Sequence, residues 1–330
     1  MCRLLLMILF FYSSANSQPT RFQFTENKMG SLFIITFYHS DSAEAQLLAR
    51  ECFDLVDSLN LIFSDYDLNS EISLLAAHAE NGKQKVSPLL YDVLQRSMNA
   101  SKKSGDTFSV YAGALTLLWR QARKQQQFPS KKQVRKARRL SLAKHFDFNI
   151  QDSSLNIKVH GASLDFGGIV KGYTAQKVID HLLTKNIKQA MADAGGDLVM
   201  SDTPPGKKGW SVAVSLPDDE DTAFIEKRIW LNNKAVATSG NMYQHLEHNG
   251  KKYSHILNPK IGYGIISQRQ VTVIANDGAT ADWLATACSV LPLSKALKLA
   301  ESEAASILIL EIINGNISVH KSATFNGYFY

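Results

Sequence analysis

The sequence has few cysteines and no arrangement of them that suits zinc. Its 330 residues include 3 cysteines, Cys2, Cys52 and Cys288, with neither a Cys-x-x-Cys pair nor a Cys/His cluster. A structural or catalytic zinc site is therefore not expected. Cys52 falls on the apolar face of a helical pattern, so buried free thiols are expected at Cys52 and Cys288, with one disulfide between them as the alternative.

The apolar run Leu4–Phe11 is too short for an ordinary membrane span. Arg3 precedes this run and the small residues Ala15 to Ser17 follow it, which is the pattern of a secretory signal. We therefore expect residues 1–17 to be a signal peptide and residues 18–330 to form an exported, periplasmic domain. Attachment to the inner membrane is expected only if the N-terminal segment stays uncleaved.

Neither of the common glycine-rich nucleotide motifs, the Walker A loop and G-x-G-x-x-G, occurs. Three other glycine turns stand between elements, at Gly167–Gly168, Gly195–Gly196 and Ser239–Asn241. Glycine lets the backbone approach a ligand closely, and a helix N-terminus favours phosphate. Each turn alone is weak support, because tight turns need glycine in any case.

Cations exceed carboxylates modestly, with a net charge of +6, and many of them lie between Arg120 and Lys144. Such a run attracts nucleic acid or an acidic membrane surface. Because a nucleic-acid enzyme is unexpected behind a signal peptide, we interpret the run as a solvated helical arm and predict no nucleic-acid partner.

The pattern of the chain predicts an α+β fold with mixed sheets flanked by helices. The part from about residue 41 to 145 is expected to be mainly helical. In the part from about 146 to 330, strands and helices are expected to alternate. We expect the polar residues 18–28 to be a flexible N-terminus. No internal repeat is present, which favours one domain over 18–330.

Two sites in the sequence suggest chemistry directly. Asp282 and Thr286 are four residues apart, so on a helix they share a face. A carboxylate and a hydroxyl side by side suit Mg²⁺, although an Asp in a helix is often a cap and a Thr often bonds its own backbone. His255 stands at a strand-to-turn edge, as a candidate base or as a hydrogen-bonded turn residue.

Taken together and in order, these motifs resemble the flavin transferase family known as ApbE, over nearly the whole chain after residue 17. The matching segments are Met29–Ser31, Ser64–Tyr66 with Ser70–Ser73, Leu164–Tyr173, Asp193–Asp197, Thr238–Gly240, Ser254–Pro259 and Ala281–Ala287.

The resemblance implies an ApbE-like fold and an activity. Such enzymes bind FAD and Mg²⁺, move FMN onto a Thr or Ser hydroxyl of a partner protein and release AMP. Some relatives instead hydrolyse FAD to FMN and AMP. The implied acceptors are exported flavoprotein domains of membrane redox complexes.

The resemblance also assigns roles to residues. His255 is the expected base, and Asp282 and Thr286 hold Mg²⁺ together with a backbone carbonyl at Gly168. Tyr66 offers an aromatic face to the flavin or the adenine, its alternative role being a loop anchor. The residues expected to line FAD are Met29, Tyr66, Ser109, Val110, Tyr111, Asp165, Lys171 and Leu257.

Three positions depart from the family pattern. Ser109 replaces a usual acidic residue and Ala114 a usual proline, whereas Ala285 stands where some relatives carry a further carboxylate. The altered segment around Ser109 motivates one alternative to the transferase, a flavin-binding protein without turnover. The other alternative is an FAD pyrophosphatase that uses the same site.

Overall fold

A computed structural model describes residues 18–217, 224–240, 245–313 and 315–329. The expected signal peptide, residues 1–17, lies outside the described residues. The helices are α1 Ser42–Phe63, α2 Glu71–Ala77, α3 Pro88–Ser104, α4 Gly113–Gln125, α5 Lys131–Leu140, α6 Val170–Thr184, α7 Gly278–Val290 and α8 Leu293–Ser302. Short 3-10 helices cover Val110–Ala112, Ala143–His145 and Ala323–Tyr328.

The strands lie mostly at the beginning and in the second half of the chain. They are β1 Thr20–Lys28, β2 Ser31–His39, β3 Gln84–Lys85, β4 Phe146–Asn149, β5 Ser154–Ile157, β6 Ala190–Ala194, β7 Leu198–Met200, β8 Trp210–Pro217, β9 Phe224–Leu231, β10 Lys234–Gly240, β11 His245–His248, β12 Lys251–Ser254, β13 Leu257–Asn258, β14 Tyr263–Gly264, β15 Gln268–Ala275, β16 Ser306–Ile313 and β17 Asn316–Lys321.

The centre of the molecule is an eight-stranded sheet in the order β1-β2-β6-β7-β10-β15-β16-β17. Neighbouring strands in it are antiparallel, for example Ala237 opposite Val273 and Val271 opposite Ile309. Helices α1, α6 and α7 pack together over one face of this sheet. The α+β class is confirmed.

Both faces of the sheet are buried, which explains its long apolar strands. In β16, Ile307 and Ile309 face the helical layer, whereas Leu308 and Leu310 face the opposite side. The β8–β9 ribbon covers that side, and the fully buried Phe325 packs with residues of both the ribbon and the sheet.

The expectation of a flexible segment at residues 18–28 is wrong. Strand β1 pairs with β2 along its whole length. Phe22 and Phe24 alternate with polar residues and pack against the core, and the ring of Phe24 lies 5.8 Å from that of Phe37. This period-two alternation is the strand signal that the polar composition hides.

Several helix ends form as their capping residues predict. The Asp41 side chain accepts hydrogen bonds from the backbone N–H groups of Ala43 and Glu44 and begins α1. Ser130 and Gln133 form a capping box at the start of α5. Gly105, with φ of 59°, ends α3 in the left-handed region.

Helix α5 lies against α4 and carries most of the expected arm. Val134 and Ala137 are buried, whereas its basic side chains are exposed. The indole of the buried Trp119 on α4 donates to the carbonyl oxygen of Gly262 at 2.9 Å, which ties α4 to the loop after β13. The arm is thus a packed layer at the edge of the domain.

Cys52 and Cys288 are buried free thiols, which confirms that expectation. Among the described residues, no helix has the length and apolar character that a membrane crossing requires.

Candidate active site

A cleft of about 390 Å³ opens where the ends of several elements meet. All three glycine turns contribute to its lining, through Gly167 and Gly168, Gly195, and Ser239 with Gly240. Asn241, the last residue of the third turn, lies outside the described residues. The turns are far apart in the chain, and the fold brings them together around one cleft. A single ligand in this cleft would contact all three turns.

The alternative role of Asp282 as a helix cap does not hold. Helix α7 begins after Asp277, whose side chain accepts from the backbone N–H of Thr280 at 3.0 Å. Asp282 lies in the second turn, is only 6% exposed and accepts from the backbone N–H of Gly172 at 3.2 Å. Thr286 follows one turn later and lines the cleft with Asp282.

The backbone of Gly168 closes on this pair. A Cβ at Gly168 would lie 2.8 Å from Oγ1 of Thr286, a distance that real Cβ atoms essentially never show. Any larger residue here would push the loop away from α7. Gly168, Asp282 and Thr286, the three expected metal ligands, therefore stand together at one end of the cleft.

A second carboxylate, Asp197, lines the same end of the cleft. Burial raises the pKa of Asp282 to about 7, against the opposing effects of the Gly172 N–H and the Lys171 charge. Burial and the nearby Asp282 raise the pKa of Asp197 well above its ordinary value, and Lys171 again opposes the shift. Two carboxylates are thus drawn together beside one lysine, an arrangement that a divalent cation would stabilise.

These residues fit Mg²⁺. No group of three or more His, Cys, Asp or Glu residues suited to a metal occurs in the part of the chain that the structure describes. Mg²⁺ needs no such cage, because it usually takes one or two carboxylates and fills its other positions with waters and substrate phosphate oxygens. Carboxylate, hydroxyl and carbonyl oxygens are all hard ligands of the kind it prefers.

The N-terminus of α6 faces the cleft beside these ligands. Gly167 and Gly168 lead into the helix, Lys171 of its first turn lines the cleft, and the Gly172 N–H of the same turn donates to Asp282. The Asp165 side chain accepts from the Gly167 N–H at 2.8 Å and holds the loop. A helix N-terminus with a lysine in its first turn favours a phosphate group.

His255 lines the cleft from the segment between β12 and β13 and is half-buried. Ser254 fixes the backbone on one side, since its N–H donates to the Ile265 carbonyl and its hydroxyl accepts from the Ile256 N–H, both at 3.0 Å. Gly264 allows this approach, because a Cβ there would lie 2.3 Å from the Ser254 carbonyl oxygen. The fixed turn therefore holds His255 at the wall of the cleft, where its imidazole can meet a ligand.

Five of the eight residues expected to line FAD lie in the cleft, namely Tyr66, Ser109, Asp165, Lys171 and Leu257. Tyr66 is 75% exposed, so the face of its ring opposite the Arg120 guanidinium is available to a ligand.

Met29, Val110 and Tyr111 are not among the residues that line the cleft. Met29 sits in the β1–β2 turn, half-buried against the core. Val110 and Tyr111 are buried, with the Tyr111 ring 4.8 Å from that of Phe146. Val110 still acts on the site indirectly, because its carbonyl accepts from the Asp165 N–H at 2.8 Å.

Two arginines of the expected solvated arm lie in the cleft instead. Arg120 and Arg123 of α4 both contribute to its lining, so the interpretation as solvated residues is wrong for them. Leu115, Trp119 and Arg123 are spaced four residues apart, which places Arg123 on the buried side of α4. That spacing is the signal in the sequence that identifies Arg123.

A model of the ApbE family matches residues 29–309. This chain belongs to the ApbE family. The protein named FAD:protein FMN transferase of Haemophilus influenzae is 26% identical over 304 residues, which cover 89% of this chain and 88% of that one. Its counterpart of the same name in Treponema pallidum is 25% identical over 289 residues, covering 82% of this chain and 79% of that one. These names confirm the expected enzyme class, a transferase.

Solved structures of ApbE proteins share the fold. The flavin transferase ApbE of Vibrio cholerae matches with a TM-score of 0.83 at 22% identity, covering 94% of this chain and 100% of that one. The apo form of Pseudomonas stutzeri flavinyl transferase ApbE matches with a TM-score of 0.83 at 25% identity, covering 98% and 99%. The ApbE-like fold is confirmed.

Proposed function

We propose that this protein is a Mg²⁺-dependent FAD:protein FMN transferase, which attaches FMN through a phosphoester bond to a Thr or Ser of an exported acceptor protein and releases AMP. One observation carries the proposal. Asp282 and Thr286 lie against Gly168 at the end of a cleft that also holds His255 and the exposed ring of Tyr66. The names of the ApbE relatives support the same reaction.

The cleft offers FAD two kinds of contact. The Lys171 ammonium and the positive end of the α6 dipole suit the pyrophosphate. Tyr66 presents an aromatic face to one of the two ring systems. Asp282, Thr286 and the Gly168 backbone would hold Mg²⁺, which when bound neutralises charge on the pyrophosphate.

The transfer forms one phosphorus–oxygen bond and breaks another. The acceptor hydroxyl oxygen attacks the phosphorus on the FMN side of the pyrophosphate, and the bond from that phosphorus to the bridging oxygen breaks, so AMP leaves with that oxygen. The hydroxyl proton passes to His255, whose imidazole suits proton abstraction near neutral pH. Lys171 and the α6 N-terminus stabilise the negative charge on the phosphoryl oxygens.

Export and the choice of acceptor belong to the same proposal. The signal-like residues 1–17 support a periplasmic location, or attachment to the inner membrane through that segment if it stays uncleaved. Exported flavoprotein domains of membrane redox complexes are the acceptors in keeping with that location.

Incubation of the protein with FAD, Mg²⁺ and an exported flavoprotein domain tests the proposal. We expect flavin fluorescence on the acceptor band of a denaturing gel, together with AMP in solution. AMP with only free FMN would instead identify an FAD pyrophosphatase. Tight FAD binding without AMP under any divalent metal would identify a flavin-binding protein and would implicate the altered Ser109 segment.

A further inference from the structure

The guanidinium of Arg120 connects two segments that line the cleft. Its Nη2 donates to Oδ2 of Asp65 at 2.6 Å, and its central carbon lies 3.7 Å from the centre of the Tyr66 ring. One planar group is thus held at its edge by a carboxylate while its face covers an aromatic ring, a combination that a lysine ammonium cannot reproduce. Asp65 and Tyr66 are adjacent in the loop after α1, whereas Arg120 lies on α4. The contact therefore joins segments 55 residues apart in the chain.

Both sides of this contact stand on fixed backbone. On α4, Trp119, the residue before Arg120, is fully buried. In the loop, the Ser64 hydroxyl oxygen accepts from the Tyr66 N–H at 3.3 Å. The side chains of Asp65 and Arg120 are 22% and 23% exposed, so water weakens their attraction less than it weakens that of a surface pair. The part of the contact with most freedom is the largely exposed side chain of Tyr66.

The ion pair brings no net charge to this part of the cleft. Because Asp65 offsets the charge of Arg120, the pair is poorly suited to the FAD pyrophosphate, which Lys171 and the positive end of the α6 dipole match. The flavin and adenine rings of FAD are uncharged at neutral pH, and flat rings of this kind stack on aromatic faces. The face of Tyr66 opposite Arg120 therefore fits a ring of FAD.

An exposed tyrosine samples several rotamers, and a ligand that stacks on its ring must select one of them at an entropic cost. A cation 3.7 Å above one face favours the rotamer that keeps this contact. The cost is then met before the ligand arrives, which strengthens binding.

We propose that Arg120, held by Asp65, is a positioning residue that fixes the Tyr66 ring as a stacking platform for a planar ring of FAD. The inference rests on the proposed function, because it takes FAD as the ligand. Arg120 acts through Tyr66 and is not itself a ligand of FAD.

A double-mutant cycle of Arg120→Met and Tyr66→Leu tests the platform. Binding of FAD, FMN and ADP is measured by isothermal titration calorimetry in EDTA, so that no metal-dependent turnover interferes. FMN carries the flavin without adenine, and ADP carries adenine without the flavin, so the fragment that responds identifies the ring. Arg120→Lys tests for rescue. Arg135→Met is the matched control, since Arg135 is exposed on α5 and is not among the residues that line the cleft.

We expect Tyr66→Leu to weaken FAD binding by about three- to tenfold, the scale of one aromatic contact, and Arg120→Met to weaken it by a similar or smaller factor. In the Tyr66→Leu protein, Arg120→Met should change FAD binding by less than about twofold, because the residue through which it acts is already lost. Arg120→Lys should regain part of the affinity, and Arg135→Met should bind FAD as the wild type does. Only one of the two fragments should show the losses.

Three results would overturn the platform: a loss from Arg120→Met that is the same with and without Tyr66, no loss in Tyr66→Leu, or equal losses for FMN and ADP. The first would make Arg120 a direct ligand of FAD, and the last would make it a structural part of the whole cleft.

Failure of the transferase looks different, because the binding cycle needs no turnover. A wild type that shows the expected cycle but releases no AMP with Mg²⁺ and an acceptor would refute the proposed function and support the platform. A wild type that binds no FAD would refute both.

Discussion

Gly172 on α6 and Gly278 on α7 face each other where the two helices cross. A Cβ on Gly172 would lie 2.1 Å from the Gly278 carbonyl oxygen, and a Cβ on Gly278 would lie 2.0 Å from the Gly172 carbonyl oxygen. The contact lets the first turn of α6 reach Asp282, whose carboxylate accepts from the Gly172 N–H. Two glycines therefore set the distance between the first turn of α6 and the Asp282 carboxylate.

Gly172→Ala should separate α6 from α7 and damage the metal site. The added methyl group meets backbone and also lies 2.9 Å from the Asp282 Cβ, so neither helix can accommodate it locally. We expect a loss of about 1–3 kcal/mol in the free energy of unfolding, the usual range for overpacking, and a higher Mg²⁺ requirement for AMP release. Thermal unfolding and a Mg²⁺ titration measure the two effects.

Gly327→Ala is the matched control, because a Cβ there meets nothing within 4 Å. It should leave melting temperature and Mg²⁺ requirement unchanged. A Gly172→Ala protein that behaves like this control would refute the close-contact account.

Asp282→Asn should nearly abolish AMP release, since the metal loses the one carboxylate among the three residues that we propose hold it. Thr286→Val keeps the shape of the side chain but removes its oxygen, so we expect about a 10- to 100-fold rise in the Mg²⁺ concentration for half-maximal rate. The metal assignment fails if Asp282→Asn retains turnover at the wild-type Mg²⁺ optimum.

His255→Gln should slow FMN transfer by about 100- to 10,000-fold, the usual contribution of a general base. Binding of FAD, followed by flavin fluorescence, should change much less, because the substrate contacts of the α6 N-terminus and Tyr66 remain. Equal losses in FAD binding and in transfer rate would show that His255 only lines the cleft and does not act as the base.

Arg269→Met should be one of the most destabilising single substitutions. Arg269 is buried, pairs with Glu311 at 2.6 Å and donates to the carbonyl oxygens of Cys288 and Leu291 at the end of α7. Removing the guanidinium leaves the Glu311 carboxylate and the two carbonyl oxygens without this partner. We therefore expect the free energy of unfolding to fall by about 3–5 kcal/mol. Denaturant unfolding measures this, and a loss below about 1 kcal/mol would contradict the account.

Cys52 and Cys288 should resist thiol reagents in the folded protein. Burial raises the pKa of each thiol to about 12, so roughly one part in ten thousand is thiolate at pH 8. A Cys2→Ser variant should show slow labelling while folded and full labelling of both thiols in guanidinium. Rapid labelling of either residue in the native protein would contradict the described core.

The sequence predicts those parts of the fold and site that local patterns record. Caps at Asp41 and Ser130 mark helix starts, and the spacing of Asp282 and Thr286 places both on one face of α7. The polar composition of β1 hides its alternation, because each phenylalanine is flanked by polar residues.

Other features depend on contacts between distant segments. Asp197 becomes part of the metal end only because the β6–β7 turn meets α7. Arg123 belongs to a basic run that looks like a solvated helix until its spacing from Trp119 is considered. Nothing near Asp197 in the chain records its contact with α7, whereas the helical spacing of Arg123 from Trp119 does record its position and the basic composition alone misassigns it.

The central claim is that this cleft moves FMN from FAD to protein, and the ratio of products tests it most directly. Wild-type protein, FAD, Mg²⁺ and an acceptor domain would be quenched together, and AMP, free FMN and acceptor-bound FMN quantified by liquid chromatography with mass spectrometry. The account predicts AMP and acceptor-bound FMN in equal amounts, with the FMN on a Thr or Ser oxygen. AMP matched by free FMN, or no AMP at all, would contradict it.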